Sequence, residues 1–375
     1  PMVVRYSTRG VGTEWPIGNT IGGSSATGGF SSYGDEYMTG FADFTDNNGD
    51  WLLCLSNTRL YPVQLTGVAF QPFRIQSPIQ NGCVHQNCYV SLGLDSGEGI
   101  YMSERGIHSL RQSQQHGNRS DKFLSWKIRR TFDKINRNAI ERTCSAFDPS
   151  EGLVIFAVPT GSDQAPTTLL VLDVRAQESQ ELTSENAIWQ IWELSGKTVN
   201  SMWSAREPNT GQTRAYIGTT TGEVIRFSRT MFSDVGTGYT SRFTTTHSDA
   251  VPSGNTTVDT HRSVLTHKHV GNVVAIVGPS GTYTPTYQTV YDRGAKVSAA
   301  QSVVLPVGTG DEWGAGVWGT AEWTSNNDRL EADKFYGVGS GETVAHRFSH
   351  AGTNEPFWVT RLSAELAVEA ETVGK

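Results

Sequence analysis

An all-β fold of short antiparallel sheets is what this sequence predicts, and three observations carry that prediction. Glycine supplies 40 of the 375 residues, while Asp, Glu, Lys and Arg together make up only 18%. That is a composition of many turns and few solvated helix faces. Short runs alternate apolar and polar side chains, the period of a strand with one buried face, and end at clusters of Gly, Ser, Asn and Thr. Hairpin-like units also recur, with starts at 49, 99, 152, 213, 270 and 345 and therefore steps of 50, 53, 61, 57 and 75 residues. A four-stranded propeller blade takes roughly 40–50 residues before insertions. The expected fold is a β-propeller of about six blades, whose sheets cover one another's faces. Its domain would span 49–375, behind a Gly/Ser-rich arm or loop over 1–48. A two-sheet sandwich competes, but at this length it requires two domains, and no linker in the sequence separates them.

Each element follows from its own stretch. Residues 18–34, GNTIGGSSATGGFSSYG, can bury little surface and predict a loop without regular structure, or one ordered by a neighbour. Trp15, Phe30, Tyr33, Tyr37, Phe41 and Phe44 give the arm aromatic groups with which to dock. GDWLLCLSNTRLYPV from Gly49 reads as two strands about a Ser56-Asn57-Thr58 turn. Three strands fall at 88–94, 99–103 and 106–110, where Ile100, Met102, Ile107 and Leu110 supply a buried face. GLVIFAVPT at 152–160 and TLLVLDV at 168–174 form a third unit, and TRAYIGTTTGEVIRF at 213–227 turns through Thr220-Thr221-Gly222 as a fourth. VGNVVAIVGPSGTYTPTYQTV at 270–290 predicts a fifth, and HRFSH with FWVTRLSAELAVEA a sixth. One helix is expected near 121–143, because Leu124, Ile128, Phe132 and Ile135 recur at helical spacing. Lys127, Arg129, Arg130, Lys134 and Arg137 occupy its other sides. That basic face suits solvent or a partner chain, with a phosphate contact as the rival use.

Charge and cysteine usage exclude several classes. The formal net charge is −7, so no global basic field draws the chain onto nucleic acid or anionic lipid. No apolar run approaches the roughly 18 residues of a membrane span. PMVVRYSTRGVG at the start has no long apolar core of the secretory kind. The four cysteines, Cys54, Cys83, Cys88 and Cys144, are too few for a disulfide scaffold and are expected free.

Motifs that invite chemistry fall short of it. Asp46-Asn47-Asn48-Gly49-Asp50 opens like a calcium loop, but Trp51 and Asn57 stand where such a loop needs Gly and Glu. A hairpin turn accounts for it better. His267 and His269 would share one side of a strand as a metal pair, without a third ligand that can be named. Gly337-Val338-Gly339-Ser340-Gly341 lacks the strand and helix of a phosphate loop. No G-x-S-x-G elbow joins the serines, histidines and aspartates. The expectation is a non-enzyme with no catalytic residues, no metal and no cofactor. Trp313, Trp318 and Trp323 (EWGAGVWGTAEW) serve either as core packing or as stacking platforms for sugars.

The order of segments from Phe73 to Phe227 resembles the tail hub, or nozzle, proteins of short-tailed bacteriophages and related β-propeller proteins of phage tails. The likeness lies in Gly82-Cys83, then GIYMSERGIHSL, a basic helix-like segment, AFDPSEGLVIFAVPT at 146–160, TLLVLDV, IWQIWEL at 188–194 and YIGTTTGEVIRF at 216–227. The resemblance covers somewhat under half of the chain. It implies a structural virion protein of the tail, assembled in the host cytoplasm as a homo-oligomeric ring, with a hexamer as the guess. Other tail proteins, adaptor and fibres, would be its partners, and genomic DNA would pass through without specific binding. A receptor- or carbohydrate-binding propeller and a propeller glycoside hydrolase are the rival readings.

Overall fold

The alternation read from the sequence becomes strands: the computed structural model is all-β, built of antiparallel sheets joined by short connections. It describes residues 4–5, 20–21, 36–46, 49–68, 71–75, 77–92, 98–112, 119–175, 182–194, 196–228, 236–247, 268–278, 283–303, 331–337, 339–353 and 355–368. The chain divides into two compact units, Pro1–Phe227 and Ser228–Lys375.

In the first unit, β1 (Val4–Arg5) pairs with β2 (Thr20–Ile21). The rest of the 18–34 segment lies outside the described residues. Four meanders follow in chain order among the described residues. The first holds β3 (Met38–Asp46), β4 (Gly49–Ser56), β5 (Arg59–Val68) and β6 (Gln71–Ile75), with β7 (Ile79–Gln80) also pairing β5. The second holds β8 (Tyr89–Ser91), β9 (Glu98–Met102), β10 (Ile107–Gln112) and β11 (Arg119–Phe123). The third holds β12 (Cys144–Asp148), β13 (Leu153–Val158), β14 (Thr168–Asp173) and β15 (Ile188–Glu193). The fourth holds β16 (Val199–Arg206), β17 (Thr213–Thr219) and β18 (Val224–Arg226). The expected arm is shorter than 1–48, because Met38–Asp46 pairs along β4 as the first strand of the first sheet. Asp46 pairs with Gly49 in that ladder, while Asn47 and Asn48 of the Asp46–Asp50 motif lie outside the described residues.

The first strands of consecutive sheets lie against one another, β3 beside β8, β8 beside β12, and β12 beside β16. One kind of hydrogen bond recurs at each junction. Tyr89 Oη donates to the Asp43 carbonyl at 3.2 Å and Ser145 Oγ to the Asn87 carbonyl at 2.7 Å, while Ser204 Oγ donates to the Phe147 carbonyl. A first-strand hydroxyl thus reaches back three times, to β3 at Asp43, to β12 at Phe147 and to the 3-10 turn leading into β8 at Asn87. Asp148 adds a deeper link. Its Oδ1 accepts from Glu151 N at 3.0 Å and Ser150 Oγ at 2.7 Å, and its Oδ2 accepts from Ala215 N at 3.0 Å. The carboxylate is 1% exposed and ties the third sheet to the fourth. At the first junction the main chains themselves meet. A Cβ on Gly82 would lie 2.1 Å from the Ser56 carbonyl oxygen, and Cys83 N donates to that oxygen at 2.8 Å.

β13 and β14 are buried on both faces. Val154, Phe156, Val158, Leu170 and Leu172 join the core shared with the first two sheets. Leu153, Ile155, Ala157, Leu169 and Val171 pack with Val199, Ala215 and Ile217 of the fourth. An uninterrupted apolar run is what a strand covered on both sides requires. All four cysteines are free and buried, as expected.

The second unit does not continue the series of chain-order meanders. β20 (Lys268–Gly278) runs between β24 (Glu331–Tyr336) and β27 (Trp358–Val368), with β25 (Ser340–Gly341) at its start. β19 (Tyr239–Thr244), β26 (Val344–Gly352) and β21 (Thr286–Tyr291) form the other sheet, and β22 (Lys296–Val297) and β23 (Gln301–Ser302) pair β21. Val270, Val273 and Phe335 of one sheet pack on Tyr287, Tyr291 and Phe348 of the other. The fifth and sixth hairpins read from the sequence are therefore not hairpins: β20 and β21 lie in different sheets, and so do β26 and β27. Pro279 and Pro285 bracket the first connection, and neither has an N–H to give a hairpin ladder.

Two expected outcomes follow. Replacing Asp148 by Ala strands the buried N–H groups of Glu151 and Ala215, and should cost the first unit about 3 kcal/mol in urea unfolding. In the second unit, His346 is 8% exposed and accepts or donates a 2.8 Å hydrogen bond with Tyr287 Oη. Burial pushes its imidazole down to about 4, whereas the unfolded imidazole takes a proton near 6.5. Between those values the unfolded chain binds more protons, so stability is complete above the unfolded value and falls as pH drops towards 4. The loss should reach about 3 kcal/mol at the low end. Thermal unfolding of His346→Gln across that range should show a flatter profile.

Candidate functional site

The segment after β11 is where apolar packing leaves a charged, aromatic surface. The single helix expected over 121–143 is instead three short pieces: a 3-10 turn (Ser125–Ile128), one turn of α-helix, α1 (Arg129–Phe132), and a second 3-10 turn (Arg137–Arg142). Tertiary pairing overrides the helical pattern at both breaks. Residues 119–123 extend along β10, with Phe123 opposite His108. Ile135 bridges to Thr160, and Asn136 N donates to the Pro159 carbonyl at 2.9 Å. No side chain caps the first turn at Leu124, while Asn136 caps the last by accepting from Asn138 N at 3.1 Å.

The apolar face nevertheless went where its spacing pointed. Leu124, Ile128, Phe132 and Ile135 are 0%, 7%, 1% and 4% exposed and belong to the main core of the first unit. Leu124 fixes the ledge between two sheets: its N–H donates to the Ile107 carbonyl at 2.8 Å, and its carbonyl accepts from Trp189 Nε1 at 3.1 Å.

What remains outside is cationic. Lys127, Arg129, Arg130, Lys134, Arg137 and Arg142 are all exposed, around a Trp126 that is 68% exposed. Lys127 Nζ donates to the Ala187 carbonyl at 3.1 Å, and Arg129 Nε pairs with Asp133 at 2.9 Å. Arg137 lies over the Phe132 ring at 4.9 Å, and partial burial lowers its pKa. Arg130, Lys134 and Arg142 have no ion-pair partner among the described residues. The ledge can hold carboxylates or phosphates and offers one indole for stacking; it carries no group arranged for proton or group transfer.

Other nucleophile-like groups are structural. Ser103 Oγ lies 3.0 Å from His108 Nε2, but these residues are 2% and 4% exposed. The same hydroxyl accepts from the N–H groups of Arg105 and Gly106, closing the β9–β10 turn. Burial pushes the thiols of Cys54, Cys83 and Cys144 up to about 12 and raises Cys88 as well, so none is poised as a thiolate. His269 Nδ1 is 2.9 Å from the Gly339 carbonyl; His267 lies outside the described residues. Gly337 N donates to the Gly271 carbonyl at 2.8 Å, so that glycine run holds down a strand end. Trp313, Trp318 and Trp323 also lie outside the described residues.

Neither a protein-family model nor a curated protein matches the chain. Among solved structures, it is similar to an exo-β-1,3-galactanase of Phanerochaete chrysosporium bound to galactose. The identity is 9% over 95% of this chain and 87% of that one, with a TM-score of 0.24. A structure described as a glycoside hydrolase is 10% identical over 86% of this chain and 83% of the other, with a TM-score of 0.23. Likenesses of that size carry no argument about fold or activity.

The ledge separates surface from core in a testable way. Trp126→Ala and Arg130→Glu should change unfolding free energy by no more than about 0.5 kcal/mol. Phe132→Ala, one turn away but buried, should cost about 3–5 kcal/mol.

Proposed function

We propose that this chain is a structural subunit of a bacteriophage tail, a propeller-type protein that assembles into a hub- or nozzle-like ring around the DNA exit channel. The observation that supports it is the run of four meanders whose first strands sit side by side, each joined to the last by a hydroxyl-to-carbonyl bond. Radially stacked blades place their first strands together in this way. The number of blades, and whether the second unit contributes to the ring, belong to this proposal.

A conduit for a polyanion must not retain it, since phosphate neutralisation by Lys and Arg gives binding that strengthens as salt falls. A chain of net charge −7 suits that task if its cationic ledge faces a neighbouring copy and not the channel. Mass photometry of the purified protein should give a closed oligomer, and Arg129→Glu with Arg130→Glu should dissociate it without lowering subunit thermal stability. Duplex DNA should show no binding near physiological salt. A monomer at all concentrations, or micromolar DNA affinity, would count against the reading.

The carbohydrate-binding alternative is favoured by one observation, a hydroxyl-lined cleft in the second unit. The glycoside hydrolase alternative needs two carboxylates flanking a scissile bond, and a screen of glycosides for released sugar tests it directly.

A further inference from the structure

The cleft lies at one end of the β19–β26–β21 sheet, lined by residues of its outer face and closed at the edge by Tyr283 and His350, which pack on the core side. Register decides which residues share the outer face. Tyr287 pairs with Phe348 facing the core, so Thr286, Ser349 and Arg347 face outward, and β19 places Thr240 beside Ala351 and Arg242 beside Ser349. The Thr286 and Ser349 hydroxyls lie 2.9 Å apart, which agrees with that assignment. The cleft has a volume of about 410 Å³ and is lined by Thr240, Thr284, Thr286 and Ser349, with Tyr283 and His350 at its end. Small-ligand sites span about 300–1,000 Å³.

Two arginines adjoin this row of hydroxyls without a carboxylate to balance them. Arg242 and Arg347 stand on neighbouring strands of the same face, and neither has an ion pair among the described residues. Arg347 Nε is buried without a hydrogen-bond partner. Burial, with Arg242 as a like-charged neighbour, lowers the Arg347 pKa. A buried donor without an acceptor, beside a second cation, is costly unless an anion completes it. Glu355 does not fill that role. It binds His350 Nε2 at 2.6 Å, and a Cβ on Gly352 would lie 1.9 Å from its Oε2, so the carboxylate is wedged against His350.

We infer that this face binds an acidic saccharide, with its carboxylate or sulfate between Arg242 and Arg347 and its hydroxyls along Thr240, Thr284, Thr286 and Ser349. Hydroxyl side chains both donate and accept, matching sugar hydroxyls, while guanidinium groups match planar or tetrahedral oxyanions. A nucleotide fits less well, because its base would need an open aromatic face and Tyr283 already packs on His350 at 5.0 Å. The inference does not depend on the tail reading.

Calorimetric titration of the full chain with a glucuronate-containing disaccharide, a sulfated disaccharide, lactose and inorganic sulfate tests it. One or both acidic disaccharides should bind, the stronger arm identifying the anion, and lactose and inorganic sulfate should bind at least about tenfold more weakly. Affinity should fall as salt rises. Arg242→Gln, at an exposed position, should weaken binding about tenfold with an unchanged melting temperature, and Arg347→Gln should do the same or more. Lactose binding as tightly as the acidic sugars, inorganic sulfate binding as tightly as either, no binding at all, or Arg242→Gln binding like the parent chain would each overturn it. Assembly is read separately: a ring that forms normally with Arg242→Gln leaves the tail proposal standing, and a monomer that binds the sugar overturns only the tail proposal.

Discussion

Double-sided burial of β13 and β14 is the constraint on which the first unit depends. Val154, Phe156 and Val158 serve one core, Ile155 and Ala157 the other, all at 0–1% exposure. A sheet covered on both faces must have neighbours on both sides, so the second and fourth meanders are needed for the third to exist. Apolar area supplies the driving force but fixes no register between sheets. The polar seams do that. Tyr89, Ser145 and Ser204 each place one hydroxyl on one carbonyl, and Asp148 holds two main-chain N–H groups of different sheets on one carboxylate. Directional bonds with unique partners, exposed at the three hydroxyls and buried at Asp148, select a single stacking among the many that apolar contact alone would allow.

The basic ledge shows the same division of labour on a smaller scale. Its inward residues are ordinary core, and its outward residues cluster positive charge on a chain whose net charge is negative. Lys127, Arg129 and Arg137 have partners within the fold, whereas Arg130, Lys134 and Arg142 have no ion-pair partner among the described residues. The same holds at Arg242 and Arg347, where two like charges adjoin on a sheet and one guanidinium nitrogen has no acceptor. Both surfaces gather like charge that folding alone does not require.

The two units also differ in how they use aromatic residues. In the second, Tyr287, Phe335 and Phe348 stack at 4.6–6.2 Å between the sheets, with His346 against Tyr287. The His346 ring in that position makes the second core responsive to acid, while the first unit stacks its own buried imidazole, His108, on Tyr101 at 5.4 Å.

Through Phe227 the sequence by itself determined most of the architecture. Alternation and turn residues are local, so 99–110, 152–174 and 213–227 gave strands close to where they were read, and Gly222 makes its turn at φ 85°. The spacing of Leu124, Ile128, Phe132 and Ile135 identified buried residues correctly but misjudged their backbone, because β10 and Thr160 drew both ends of the segment into extended pairing. Beyond Ser228 the long strands pair with strands distant in sequence, β19 with β26, β20 with β24 and β27, and β21 with β26. Period and propensity are blind to that choice, since β20 reads the same whether it pairs β21 or β27. The arginine pair was illegible for the same reason: Arg242 and Arg347 are distant in the chain, and only the ladder between β19 and β26 brings them to one face. Tertiary structure decided which strands met, and therefore which charges did.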